Sequence, residues 1–196
     1  MSEALGMPAK EALAAVHEAR GARDVVITTM ATSRDWMTMA QHPLDVVFVP
    51  SAMGHATSLG LGLALAQPDR RIIVCNGDGS MLMNLGSLVS IVGAGAAAAL
   101  LVVLLFDNGV YEVTGAQPTP SSGKTDFAAI ARGAGFHRVF EFDDLDTWRR
   151  HASNVLAGDG PTFAWLKVAP VLGIPGPRSP GPAAERARRF ADALRS

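Results

Sequence analysis

Five short apolar, branched runs separated by stretches of helical period constrain this 196-residue chain more than any other feature. The runs cover 25–29, 46–49, 72–75, 101–106 and 162–166. A strand with one wet face alternates apolar and polar residues, whereas these are apolar almost throughout, so both faces of their sheet must be covered. Helix candidates at 8–20, 33–39, 55–66, 81–92, 127–133 and 145–156 fill the gaps, and helical crossovers join strands in parallel. The pattern predicts an α/β fold: a doubly wound parallel sheet with helices on both faces. Pro and Gly recur through 170–182, which no helix or central strand tolerates, so an extended connection is expected there, followed by an amphipathic helix over 183–194. No repeat or compositional break divides the chain, and 1–196 reads as one domain.

Charge and cysteine content exclude several functions. Seventeen Lys plus Arg against eighteen Asp plus Glu leave a net charge of −1, which gives no electrostatic footprint for nucleic acid. Cys75 is the single cysteine, so there is no internal disulfide and no cysteine zinc site, in keeping with a reducing cytoplasm. The first sixteen residues, MSEALGMPAKEALAAV, mix charges among the apolar positions and lack a signal-peptide core. The stretch 85–106 carries no charge and is long enough, against the roughly 20 residues needed, to cross a bilayer. Gly86, Ser87, Ser90, Gly93 and Gly95 divide it, and it reads instead as helix, turn and buried strand. The expectation is a cytoplasmic protein that binds neither membrane nor nucleic acid.

The most informative chemistry lies at 72–83, where a strand ends in Gly77-Asp78-Gly79-Ser80 and opens a helix. Open parallel sheets bind ligands beyond the carboxyl ends of their strands. The glycines let backbone approach a ligand, Asp78 offers a hard oxygen to a divalent cation, and the Gly79 and Ser80 amides suit a phosphate. A second strand ends in Asp107-Asn108-Gly109-Val110. If the two strands are neighbours, Asp78, Asn108 and the Val110 carbonyl supply the mixed oxygen set that Mg²⁺ takes beside phosphate and water. Alone, Gly-Asp-Gly also reads as a tight turn with a capping Asp. The second strand end is what argues for a site.

These motifs resemble the cofactor signature of thiamine diphosphate (ThDP) enzymes. Segments 51–56, 60–66, 111–119 and 125–131, together with Thr32-Ser33-Arg34, are similar to phosphonopyruvate decarboxylases and to the beta subunit of sulfopyruvate decarboxylase. The resemblance covers nearly the whole chain and corresponds to the diphosphate-binding half of a two-domain family. It implies that Asp78, Asn108 and the Val110 carbonyl ligate Mg²⁺, and that Gly77, Gly79 and Ser80 hold the diphosphate. It also implies that Met53 wedges the cofactor into its bent form, that the Ser51 carbonyl with Ala52 meets the aminopyrimidine, and that Tyr111 lies beside the cofactor. The chain departs from the family in reading Asp107-Asn108 where Asn-Asn is common. It also has a slightly long connection between the motifs, for which a looser turn at 96–99 is expected. The family's activating glutamate belongs to the other half. The resemblance therefore implies a hetero-oligomer in which a separate pyrimidine-binding subunit supplies that glutamate and a small 2-oxo acid, resembling sulfopyruvate or phosphonopyruvate, is decarboxylated. A carboligase subunit and a non-catalytic ThDP-binding subunit are the alternatives.

Several residues carry two readings. His55 is a proton-transfer candidate or a helix-cap histidine. Tyr111 and Glu112 face the site or are a packing aromatic and a loop acid. Thr32, Ser33 and Arg34 bind an anionic substrate group, or Ser33 caps a helix. Met81, Met83 and Cys75 read as core, and Arg149, Arg150, Arg186, Arg188 and Arg189 as solvated helix faces. Two other functions fail on order and spacing. A haloacid-dehalogenase-type phosphatase needs its nucleophile motif before Gly-Asp-Gly, whereas Asp144-Leu145-Asp146-Thr147 follows it. A dinucleotide fingerprint at Gly60-Leu61-Gly62 has Leu65 in its third glycine position.

Overall fold

A computed structural model describes residues 6–49 and 53–195. The chain opens with a short strand, β1 (Met7–Pro8), then α1 (Ala9–Ala19), β2 (Val25–Thr29), α2 (Ala31–Trp36), β3 (Asp45–Phe48) and α3 (Ala56–Ala66). It continues through β4 (Ile72–Gly77), α4 (Asp78–Leu82), α5 (Gly86–Gly93), a 3-10 turn (Gly95–Ala98) and β5 (Leu101–Asp107). A hairpin of β6 (Val110–Tyr111) and β7 (Gln117–Pro118) precedes α6 (Phe127–Ala134), β8 (Arg138–Phe142), α7 (Leu145–Ala157), β9 (Thr162–Ala169) and α8 (Ala183–Arg195).

The main sheet has seven strands in the order β1-β9-β5-β4-β2-β3, with β8 also lying along β9. Every pairing in it is parallel. Alternate side chains of each strand enter opposite cores, because successive Cβ atoms point to opposite faces. Val26, Ile73, Cys75, Val102 and Leu104 meet α1, α2 and α7 through Leu13, Trp36 and Trp148 on one side. Ile27, Ile72, Val74, Val103 and Leu105 meet α3, α5 and α6 through Ala64, Leu88 and Phe127 on the other. The central strands β2, β4 and β5 read as unbroken apolar runs because each is covered twice.

Chain direction places the site. From β2 the chain steps outward to β3, then returns to β4 on the other side of β2, which makes a topological switch point at the carboxyl ends of β2 and β4. Register sets Gly77 of β4 opposite Phe106 of β5, so Asp78 and Asn108 leave the sheet at neighbouring points.

The structure corrects several sequence expectations. The single helix expected over 81–92 is two, α4 and α5, separated by 83–85. The helix expected at 33–39 spans Ala31–Trp36, with Met30 at its N-cap and no side-chain cap bond, so Ser33 is not the cap. Ser33 is buried and its hydroxyl donates to Thr28 Oγ1. In place of a loose turn at 96–99 stands the 3-10 turn, closed by the Gly160 N–H on the Ala99 carbonyl. β1 and β8 carry too little apolar signal to be seen in the sequence. Met83 is 53% exposed and not core, whereas Met81 and Cys75 are fully enclosed. Among the described residues no helix is long and apolar enough to cross a membrane.

Candidate functional site

Beyond the ends of β2, β4 and β5 lies an open cleft. Gly77, Asp78, Gly79 and Ser80 line it from β4 and α4; Asn108, Val110 and Tyr111 line it from β5 and β6; Met53 closes it from the turn before α3. The motif residues, separated by up to 58 positions in sequence, thus share one surface. Ser51 and Ala52 lie outside the described residues. His55 is exposed and does not line the cleft; its Nδ1 sits 3.0 Å from the Met53 carbonyl, at the N-cap position of α3.

Asp78 is 2% exposed. Its Oδ2 accepts from the Thr119 hydroxyl at 2.8 Å, and the Gly79 N–H also donates to the carboxylate. Burial, then the neighbouring charge of Asp107, push its carboxyl up from 3.8 to about 6, against the hydrogen bonds, which pull the other way. Among the described residues no Lys, Arg or His forms an ion pair with it. A buried carboxylate with hydroxyl and amide donors but no cationic partner is a place that a metal ion suits. No group of three or more His, Cys, Asp or Glu able to hold a metal occurs among the described residues, so any cation here relies on mixed oxygen donors. That donor chemistry fits Mg²⁺ with a phosphate, which takes one or two carboxylates and completes its shell with amide, carbonyl, phosphate and water oxygens.

Asp107 and Asn108 diverge. Asp107 turns away to accept from Trp165 Nε1 at 2.9 Å and from the Gly109 N–H. Asn108 Oδ1 accepts from the Val110 N–H at 3.1 Å, and its Nδ2 donates to Glu112 Oε2 at 2.8 Å. Gly109 has φ +70, which disfavours a side chain, and a Cβ there would make the Ser122 hydroxyl, 2.9 Å away, move aside. Gly79 is enforced differently, since a Cβ there would sit 2.5 Å from Tyr111 Cε1; the tyrosine ring covers the backbone that the diphosphate reading needs bare.

The Met53 turn is pinned from below. Gly54, with φ +82, donates its N–H to Ser80 Oγ at 3.0 Å and accepts from Asn84 Nδ2 at 2.8 Å. Ser80 therefore holds a neighbouring loop with its side chain, a role that sequence did not suggest, and Asn84 was not singled out at all.

The β2–α2 junction forms the remaining wall. Met30, which lines the cleft, has φ +55 and ψ −124, a strained backbone for a residue with a side chain. Thr32 locks it from behind: its Oγ1 accepts from the Thr29 N–H and lies 2.8 and 3.0 Å from the Thr29 and Cys75 carbonyls, with one proton to donate between them. Arg34, read as an anion contact, is already engaged by Asp35, at 2.9 Å from Oδ1, and by Glu112, at 2.8 Å from Oε1. Thr119 is a site-supporting side chain to which sequence reasoning assigned no individual role, and Glu112, weighed as a site residue or a loop acid, lines the cleft; the spacing Asn108, Glu112, Thr119 carries no periodic signal. Among the described residues, the charged side chains lining the cleft are Asp35, Asp78 and Glu112.

Comparison with known proteins identifies the family and the fold. Residues 24–164 match the family described as thiamine pyrophosphate enzyme, C-terminal TPP binding domain. The chain is 41% identical over 171 residues to a phosphonopyruvate decarboxylase of Streptomyces hygroscopicus, covering 85% of this chain and 41% of that protein. It is 41% identical over 138 residues to sulfopyruvate decarboxylase subunit beta of Methanothermobacter thermautotrophicus, covering 70% of this chain and 69% of that subunit. The chain thus spans less than half the length of the first relative. Its fold is similar to that of a thiamine diphosphate-dependent 4-hydroxybenzoylformate decarboxylase of Rhodococcus jostii, with TM-score 0.70, 20% identity, and 87% of this chain and 34% of that chain covered.

Proposed function

Because the chain belongs to the thiamine pyrophosphate enzyme family through the C-terminal TPP-binding domain, we propose that it is the diphosphate-binding subunit of a divided thiamine diphosphate-dependent decarboxylase acting on a pyruvate-like 2-oxo acid. The observation that carries the reading is the convergence of Asp78 and Asn108 at the ends of neighbouring strands, beside Gly79 and the Tyr111 ring packed on it. Asp78, Asn108 Oδ1 and the Val110 carbonyl hold Mg²⁺, while Gly77 and the Gly79 and Ser80 amides receive the diphosphate. When bound, the cofactor supplies the electron sink into which a 2-oxo acid can lose CO₂.

The chain's own residues do the rest of the work assigned here. Thr119 keeps the Asp78 carboxylate turned to one side, and Ser80 and Asn84 fix the turn that presents Met53 as the wedge. Leu13, Phe106 and Val168, all buried, give the cleft an apolar part of its lining. The reading takes residues 1–196 as one diphosphate-binding unit, located in the cytoplasm.

A second subunit is part of the same proposal. The chain covers 69% of a relative that is itself called a subunit and 41% of a relative that carries the decarboxylase name alone, and this supports a partner that brings the pyrimidine-binding half with its activating glutamate. A phosphonate or sulfonate on the substrate is suggested by the names of these two relatives.

Purification of the tagged chain from its native cells, with intact-complex mass spectrometry and a CO₂-release assay on 3-phosphonopyruvate and 3-sulfopyruvate, tests the reading. Recovery with a second chain, ThDP and activity on either acid is the expected result. A lone chain without ThDP overturns it, and cofactor binding without turnover in any complex favours a non-catalytic subunit. Asp78→Ala should abolish Mg²⁺-dependent ThDP binding.

A further inference from the structure

Glu112 follows β6 and is buried, its side chain only 4% exposed. Three separate parts of the chain converge on its carboxylate. Asn108 Nδ2 donates to Oε2 at 2.8 Å, the Val171 N–H donates to the same oxygen at 3.0 Å, and Arg34 Nη1 lies 2.8 Å from Oε1. Asp35 in turn holds Arg34. A loop acid of no consequence does not recruit partners 59 and 78 residues away or lose its solvent.

The amide of Asn108 has one donor nitrogen and one acceptor oxygen. Committing the nitrogen to Glu112 decides which way the amide faces and leaves the oxygen, which has two lone pairs and here accepts only from the Val110 N–H, to meet a cation. The same Glu112 oxygen holds the first residue of the irregular stretch after Pro170, where the chain leaves β9 and loses regular structure. Leu172 and Ile174 in that stretch are 63% and 42% exposed, so few apolar contacts fasten it.

We propose that Glu112 is a positioning residue with two linked tasks: it orients the Asn108 amide oxygen toward the bound cation, and it latches the 170–182 segment beside the cleft, so that cation–diphosphate binding and the order of that segment are coupled. The inference rests on the assignment of Asn108 to the cation site. Ligand binding at Oδ1 polarises the amide and strengthens its N–H donation to Glu112, a cooperative effect expected along a chain of hydrogen bonds. Outer partners that orient a metal ligand are worth roughly 10- to 100-fold in metal affinity.

The test uses the full chain, with its partner subunit where one co-purifies, and reads two signals: calorimetric affinity for Mg²⁺–ThDP, and amide hydrogen exchange across 171–174. Glu112→Ala should weaken binding by roughly 10- to 100-fold and speed exchange at Val171 and the residues after it, with or without ligand. Glu112→Gln, whose amide oxygen can still accept from both N–H groups while its NH2 replaces the oxygen facing Arg34 Nη1, should restore part of each signal, and more of it than alanine does. In the unsubstituted protein the ligand should slow exchange at 171–174; in Glu112→Ala that response should vanish. Wild-type affinity in Glu112→Ala, or exchange at 171–174 that ignores both the substitution and the ligand, overturns the proposal. Asp78→Asn separates the premise from the inference. Loss of binding there with normal binding in Glu112→Ala sinks only the role of Glu112, whereas normal binding in Asp78→Asn sinks the cation site and everything built on it. If Glu112→Ala does not fold, Asn108→Asp, which keeps an oxygen but removes the donor, should show the same faster exchange at Val171.

Discussion

At Asp78, folding and binding make opposite demands on one carboxyl. Burial raises its titration to about 6, against an ordinary value near 4 in the unfolded chain. The protonated form is the one the cation-free fold prefers, so this group's contribution to stability is complete below about pH 4 and is lost as pH rises to about 6. In chelator, Asp78→Asn should therefore be no more stable than wild type at pH 4 and more stable at pH 7, by roughly 3 kcal/mol at most. Urea unfolding at the two pH values checks this, and a difference that does not change with pH refutes it. Met30 stores a second local cost. Its φ of +55 is easy only for glycine, so Met30→Gly should leave stability unchanged or raise it by about 1 kcal/mol, where a cleft-wall methionine would ordinarily lose stability on truncation. Denaturant midpoints decide. Both effects escape the sequence for a physical reason. Gly-Asp-Gly taken with Asp107-Asn108-Gly109 suggests a cation site from residue chemistry, but the burial that shifts Asp78, the Thr119 hydroxyl that holds it and the backbone angle of Met30 arise from chain segments that only the fold brings together.

Among the elements, strands were legible in proportion to their coverage. β4 and β5 stand between neighbours and between helices, so they read as apolar runs. β8, with Arg138 and Glu141 among its residues, lies at the side of β9 and has no such signature. The break between α4 and α5 was hidden because apolar residues continue through it; what turns the chain there is Asn84, whose amide donates to the Gly54 carbonyl and to Ser58 Oγ. α8 was expected as a solvated amphipathic helix, yet Arg186 is not a surface charge: its guanidinium donates to the carbonyls of Val47 and Val49. β3 is the last strand of the sheet, and unpaired carbonyls on such a strand invite association with other chains. Arg186→Ala should cost about 1–3 kcal/mol and accelerate amide exchange in β3 and α8 together. Faster exchange in α8 alone would mean that the helix does not protect the strand.

For the molecule as a whole, the site's location could be foreseen, because ligands gather where strand order reverses and both motifs lie at strand ends. What joins the second motif to the tail, through Glu112 and Val171, could not, since neither residue repeats or matches a pattern. The sheet's centre offers a reporter of global opening. Cys75 has 0% exposure and burial pushes its thiol well above the ordinary range, so it should resist thiol reagents in native protein. Its labelling rate should track global unfolding across a denaturant series; fast labelling in buffer would reveal local opening of β4. The cleft, finally, carries carboxylates as the charged side chains on its described wall, and one of them, Asp78, lacks an ion-pair partner among the described residues. A net charge of −1 supplies no compensating field. On the proposed reading, loading has a direction in time: with Arg34 shared between Asp35 and Glu112 and Asp78 left unpaired among the described residues, a diphosphate arriving unescorted would meet like charge, while a divalent cation would be drawn in and reverse the sign of the surface. Stopped-flow mixing should show ThDP capture accelerating when the protein is equilibrated with Mg²⁺ beforehand, and equal rates for either order of addition would show that the wall's charge does not govern entry.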